Sequence, residues 1–183
     1  MSNLHQLKEI LLKLSYEKRE VRLASGRVSD FYFDGKQTTL NAEGSLYVGK
    51  CFFDLFKKSG RRIQAVGGPT LGADPIVTAI SVVSALYQDP IPAFIVRKEP
   101  KKHGTAAWIE GMKNLKSGMQ VALVEDVVTS GGSILKAAEK VEQAGFSISL
   151  IATIVDREEG GAEIIRAAGY RFASLFTKSE LLS

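Results

Sequence analysis

The chain has 183 residues, 45% hydrophobic and 24% charged, the usage of one globular domain with material for a core. Its 17 Gly and 5 Pro are an average share, which excludes collagen-like and Pro/Gly-rich disordered chains. A net charge of +4 and a pI near 9.1 suit an anionic ligand without arguing for nucleic acid. The single cysteine, Cys51, lies in the apolar run Cys51-Phe52-Phe53 and reads as a buried structural thiol. It excludes an intramolecular disulfide framework and a Cys-cluster zinc site. No signal pattern opens the chain, and the longest apolar-leaning stretch, residues 75–87, is too short for a bilayer. The expectation is a soluble, cytoplasmic protein with no membrane and no nucleic-acid partner.

Leu4, Leu7, Leu11 and Leu14 recur at helical spacing behind Ser2, a candidate cap. Residues 21–23 and 31–33 are short extended segments around Ser25-Gly26-Arg27, the pattern of a hairpin. Residues 42–58 form a second helix, with Gly60 as a left-handed stop. Strands then alternate with helices. Strands are predicted at 63–66, 93–96, 121–125, 148–155 and 172–176, and helices at 73–86, 133–143 and 161–168. Apolar β-branched strands alternating with helices predict an α/β fold with a mainly parallel sheet covered on both faces. Ligands in such folds bind at the carboxyl ends of the strands.

The segment Val121-Ala122-Leu123-Val124-Glu125-Asp126-Val127-Val128-Thr129-Ser130-Gly131-Gly132-Ser133 carries the strongest signal. An apolar strand reaches two acids, and a hydroxyl- and glycine-rich turn then enters a helix. Helix N-terminal N–H groups, the dipole and three hydroxyls make a cradle for phosphate. Carboxylates beside such a cradle repel an anion unless they accept from sugar hydroxyls or sit near magnesium and its waters. Both of these point to a sugar phosphate; the plainer reading, set against them, is a helix cap with Asp126 as a turn residue. The segment resembles, without a break, the phosphoribosyl pyrophosphate signature of type I phosphoribosyltransferases. That resemblance implies that Glu125 and Asp126 approach the ribose hydroxyls while the turn through Thr129, Ser130, Gly131, Gly132 and Ser133 holds the 5′-phosphate.

Gly67-Gly68-Pro69-Thr70-Leu71-Gly72 has the glycine spacing of a P-loop. Ala73 and Asp74 stand where a P-loop needs Lys and Ser or Thr, so the reading is a backbone nest for an anion rather than a nucleotide γ-phosphate site. The resemblance makes it the pyrophosphate loop, with Thr70-Leu71 where some relatives carry Tyr-Lys. Downstream, Arg97-Lys98-Glu99-Pro100-Lys101-Lys102-His103-Gly104 places four cations and a histidine within seven residues. A polyanion would relieve their mutual repulsion, and cations around a leaving pyrophosphate stabilise developing charge. The spacing Lys98-x-x-Lys101-x-His103-Gly104 resembles the catalytic loop of orotate phosphoribosyltransferases. By that resemblance Lys101, His103, Arg97 and Lys98 bind the pyrophosphate, and the loop is shared between the subunits of a homodimer.

Val155-Asp156-Arg157-Glu158-Glu159-Gly160 puts Arg157 just past a strand, where a guanidinium can grip a carboxylate with two parallel bonds or pair with Glu158 or Glu159. The family places its orotate-carboxylate arginine here, and its cradle threonine, Thr129 in this chain, also touches the base. Ser25-Gly26-Arg27-Val28-Ser29-Asp30-Phe31-Tyr32-Phe33-Asp34 is similar to the segment that roofs the base, with Tyr32 and Phe33 at the stacking positions. Many relatives carry Lys where this chain has Ala24; Lys36 is a conceivable substitute. Val21, Leu23, Phe31 and Phe33 serve equally well as core.

The resemblance runs from about residue 19 to residue 160. It implies one phosphoribosyltransferase domain over 1–183, with a small hood from about 1–40 and the C-terminal segment. It also implies orotate and phosphoribosyl pyrophosphate as substrates. Magnesium (Mg2+) would be held through substrate and water, with no direct protein ligand. The alternatives are transfer to another base, or a non-catalytic sensor of phosphoribosyl pyrophosphate.

Overall fold

Helix α1 (Asn3–Leu14) begins at Ser2, whose hydroxyl accepts from the His5 N–H at 3.2 Å. It buries Leu7 and Leu11 completely, the i, i+4 pair that the leucine spacing puts on one face. The computed structural model describes residues 2–22, 28–100 and 108–183. Strands β1 (Tyr16–Arg22) and β2 (Val28–Phe33) pair antiparallel, with a register shift between Lys18 and Val21. The hairpin starts at Tyr16 rather than Val21. The run from Tyr16 to Arg19 is too polar to suggest a strand, but Tyr16 packs its ring 5.4 Å from that of Phe31.

Helix α2 (Gly35–Thr39) is absent from the sequence reading, because five residues including two threonines and a glycine have weak helix propensity. Asp34 starts it by accepting from the Lys36 N–H at 3.2 Å. The buried Ser15 and Thr38 hydroxyls share a 2.7 Å hydrogen bond that ties α2 to the end of α1. Helix α3 (Ala42–Lys58) follows, and Gly60 takes the left-handed conformation past its end, φ 64°.

Then come β3 (Ala65–Pro69), α4 (Ala73–Leu86), β4 (Ala93–Val96), β5 (Ile109–Glu110), β6 (Gln120–Val128), α5 (Gly132–Gln143), β7 (Ser147–Asp156), α6 (Gly161–Ala167), β8 (Phe172–Thr177) and α7 (Lys178–Leu182). The sheet order is β5-β4-β3-β6-β7-β8, parallel throughout except for the β4–β5 pair. Alternation along β6 sends Ala122 and Val124 to one face, with Ile76 and Ile80 of α4, and Val121 and Leu123 to the other, with Ile134 and Val141 of α5. Both faces are covered, so the central strands read as mainly apolar runs, such as Val121 to Val124 in β6. The α/β fold is as expected.

Two further expectations are corrected. Gly67 and Gly68 belong to β3 rather than to a loop. Any side chain there would strike the Phe94 ring or the Val124 carbonyl, so the glycines serve close packing, and the turn between β3 and α4 is residues 70–72. Strand β6 does not stop at Glu125 but runs on to Val128, its extension paired with Val155 and Asp156 of β7.

The sheet positions the site through its connections. The chain leaves β3 toward β4 on one side, and leaves β6 toward β7 on the other. The crevice between β3 and β6, at their carboxyl ends, is the topological switch point where ligands of such folds bind.

Candidate active site

A cavity of about 780 Å³ opens at that switch point. The β3–α4 turn contributes Thr70, Leu71 and Gly72, the end of β4 Arg97 and Lys98, and β6 Glu125, Asp126 and Val127. Gly132 and Ser133 come from the first turn of α5, and Lys36 reaches in from α2. The structure thus gathers three separate sequence motifs around one space.

Glu125 is 7% exposed, and its side chain accepts from the Ser133 hydroxyl at 3.1 Å. Burial, and then the charge of Asp126 beside it, push the Glu125 carboxyl up to about 8. Burial raises Asp126 as well, against the opposing pull of Lys36 and of the Val127 N–H. Lys36 is held by Asp34 at 2.6 Å, and that hydrogen bond raises the ammonium's pKa. The pair is packed under Gly72, where a Cβ would lie 2.6 Å from Asp126 Oδ1 and 2.8 Å from Glu125 Oε1. Two acids so confined are costly to ionise together, and hydroxyl donors or a cation would relieve that cost. Among the described residues no three His, Cys, Asp or Glu side chains converge as a metal cage. Two carboxylates facing an open cavity suit magnesium, which takes most of its ligands from water and phosphate oxygens.

Gly131 begins α5 in the left-handed conformation, φ 77°. The first helical bond runs from the Leu135 N–H to the Gly131 carbonyl at 3.1 Å, so the N–H groups of residues 132–134 precede the ladder. Val128 is buried, Thr129 half-buried and Ser130 exposed; these three flank the cavity without lining it. Thr70 donates its hydroxyl to Asp74 at 2.8 Å, and Leu71 is largely exposed. The Arg97 guanidinium lies on Glu110 at 2.9 Å. Lys101 and His103 lie outside the described residues.

Arg157 stands at the end of β7, its N–H bonded to the Val128 carbonyl at 3.0 Å. It is buried, not a surface arginine, with Nε on Glu159 at 2.9 Å and Nη2 donating to the Phe31 carbonyl at 3.4 Å. Its guanidinium lies 5.3 Å from the centre of the Phe31 ring, and Lys178 approaches the same ring at 5.1 Å. Tyr32 is on the opposite face of β2, under Arg19 at 3.9 Å, whereas Phe33 is buried and stacked on Phe31. The ring beneath Arg157 is therefore Phe31. Lys136 and Lys140 of α5 also line the cavity, and nothing in the sequence marks them: helical periodicity shows which residues are exposed, not which exposed ones face a site.

A family model of the phosphoribosyl transferase domain matches residues 48–168. The chain is 46% identical over 176 residues to the orotate phosphoribosyltransferase of Nostoc sp., covering 96% of this chain and 84% of that one. It is 45% identical over 181 residues to that of Sorangium cellulosum, covering 99% and 94%. The crystal structure of Mycobacterium tuberculosis orotate phosphoribosyltransferase in complex with 5-phospho-alpha-D-ribosyl 1-diphosphate superposes with a TM-score of 0.82 at 35% identity, covering 100% of each chain. Sequence and architecture agree with the switch-point cavity and its paired acids: the chain belongs to the orotate phosphoribosyltransferase family.

Proposed function

We propose that this chain transfers the 5-phosphoribosyl group of phosphoribosyl pyrophosphate to N1 of orotate, giving orotidine 5′-monophosphate and pyrophosphate in pyrimidine (UMP) biosynthesis. The observation that carries the reading is the cavity in which Glu125 and Asp126 face Lys36, Arg97 and Lys98 beside the start of α5. The helix start takes the 5′-phosphate on its N–H groups and the Ser133 hydroxyl. The acid pair accepts from the ribose hydroxyls and favours the positive charge that grows on the ring as the bond to pyrophosphate lengthens. Arg97 and Lys98, with Lys101 and His103, hold the departing pyrophosphate. Thr70 and Leu71 bring the backbone of the β3–α4 turn against it. When bound, magnesium neutralises phosphate charge through substrate oxygens and water.

Ionised orotate is already nucleophilic, so the protein supplies alignment rather than a strong base. Arg157 takes its carboxylate. Thr129 meets its edge, and Tyr32, Phe33 and their neighbour Phe31 supply aromatic surface. The domain is a single unit in which α1, β1, β2, α2 and α7 form the hood.

A homodimer completes the proposal. Leu40 and Leu71 are exposed, 74% and 62%, at a hollow of about 570 Å³ that shares Lys36 and Leu71 with the site cavity. An apolar rim at the mouth of a site suits a second copy of the chain. A cytoplasmic setting accords with Cys51, a lone buried thiol pushed up to about 12 by burial and then by Asp54. Among the described residues no helix is long and apolar enough to cross a membrane.

The test is loss of orotate absorbance on mixing the protein with orotate, phosphoribosyl pyrophosphate and magnesium. Omitting any one of the three abolishes the change. A protein that binds phosphoribosyl pyrophosphate yet consumes no base is a sensor, and the proposal fails.

A further inference from the structure

The basic segment leaves the sheet at Arg97 and returns at Trp108, and these two residues are fastened to each other and to α5. The Arg97 N–H donates to the Trp108 carbonyl at 2.8 Å. The Lys140 ammonium stands over the Trp108 ring, 3.7 Å from its centre, and donates to the Arg97 carbonyl at 3.2 Å. Arg97 is further held by Glu110 at 2.9 Å and by the Glu99 carbonyl at 3.1 Å. One lysine thus grips both ends of the segment. It sits two turns along the helix whose first turn forms the phosphate cradle, and it lines the same cavity as Glu125 and Asp126.

We propose that Lys140 is a positioning residue: by gripping Trp108 and the Arg97 carbonyl, it sets where Arg97 and Lys98 stand against the acid pair. The grip combines a cation over an indole face with a charge-assisted hydrogen bond. The hydrogen bond acts directly on the backbone that carries the two cations, and the stacking acts on it through Trp108, whose carbonyl accepts from the Arg97 N–H. The inference rests on the transfer reaction proposed above.

Trp108 is the only tryptophan in the chain, so its emission reports on the grip without any turnover. The experiment compares the full-length wild type with Lys140→Met and Lys140→Arg, in steady-state kinetics and in ligand-free tryptophan fluorescence. Lys140→Met is expected to shift Trp108 emission and to lower kcat/KM for phosphoribosyl pyrophosphate about tenfold or more, because misplacement of charged groups is costly in rate. KM for orotate stays within about twofold, since the arginine that grips its carboxylate is on another strand. Lys140→Arg restores both readouts, because a guanidinium also stacks on indole and donates to a carbonyl. Trp108→Leu, which removes the ring but keeps the lysine, should reproduce the kinetic split if Lys140→Met folds poorly.

Lys140→Met kinetics equal to wild type would overturn the inference, as would unchanged emission. A Lys140→Arg protein as impaired as Lys140→Met would make the ammonium a direct substrate ligand and overturn it too. A wild type with no turnover sinks the proposed reaction instead, which keeps the two failures apart.

Discussion

Asp126 lies directly against Gly35 of α2: a Cβ on that glycine would come within 2.8 Å of the Asp126 Cβ. On its other side the acid pair meets Gly72. Gly72 has ordinary helical backbone, φ −59°, so alanine there introduces bulk without backbone strain. Gly72→Ala should lower kcat/KM about 10- to 100-fold by displacing the carboxylates. It should cost about 1–3 kcal/mol of stability. Steady-state kinetics beside a urea melt check this, and a fully active Gly72→Ala protein would refute the close packing of the pair.

The burial of Glu125 makes a pH prediction. Its carboxyl is raised from 4.5 to about 8, so between those values the folded protein binds more protons than the unfolded chain. The stability of the ligand-free protein therefore falls as pH rises through that window. Glu125→Gln removes the effect. It should be about 1–3 kcal/mol more stable than wild type at pH 8, with no advantage at pH 4. Urea midpoints at the two pH values decide the matter, and an equal difference at both excludes the explanation.

Arg157 offers a fork that lysine cannot reproduce. Arg157→Lys keeps the charge opposite Glu159 but loses one of two parallel bonds to a carboxylate. A raised orotate KM of about 10- to 100-fold is expected, the worth of a hydrogen bond to a charged group. KM for phosphoribosyl pyrophosphate should hardly move. If both constants rise together, Arg157 is not the carboxylate ligand.

Lys101→Ala tests the segment between the two ends gripped by Lys140. Turnover should fall at least about 100-fold while orotate binding, measured calorimetrically, stays near wild type. Unchanged turnover removes the pyrophosphate role assigned to this lysine.

Leu40, 74% exposed at the mouth of the site, tests the dimer. Leu40→Asp places a charge on the proposed contact, and sedimentation should show the dimer replaced by monomer. A Leu40→Asp protein that sediments as wild type moves the interface elsewhere.

The parallel sheet was legible because Val121 to Val124 and Ile148 to Val155 are apolar and β-branched where both faces are covered. Glu125 and Asp126 interrupt that pattern, which is why the strand appeared to end there although its pairing with β7 continues. Gly67 and Gly68 suggested a loop because no pattern reveals that the Phe94 ring occupies the missing side-chain space. The acids, the cations at 97–98 and Arg157 were legible as motifs. The grip of Lys140 was not, since it depends on two segments meeting across the sheet.

Helix α7 carries a wider consequence. Thr177 and Glu180 cap it reciprocally, Ser179 bonds the Glu158 carboxylate through N–H and hydroxyl at 2.8 and 2.6 Å, and Lys8 bonds the Glu180 carbonyl at 2.6 Å. Helices α1 and α7 are thereby stitched to the turn that bears Arg157. Given the orotate role proposed for Arg157, trimming residues after Thr177, or splicing a fusion partner onto them, would slacken base selectivity before it harmed phosphate capture. On that proposal, where a tag is attached for purification or immobilisation bears on discrimination as well as on handling.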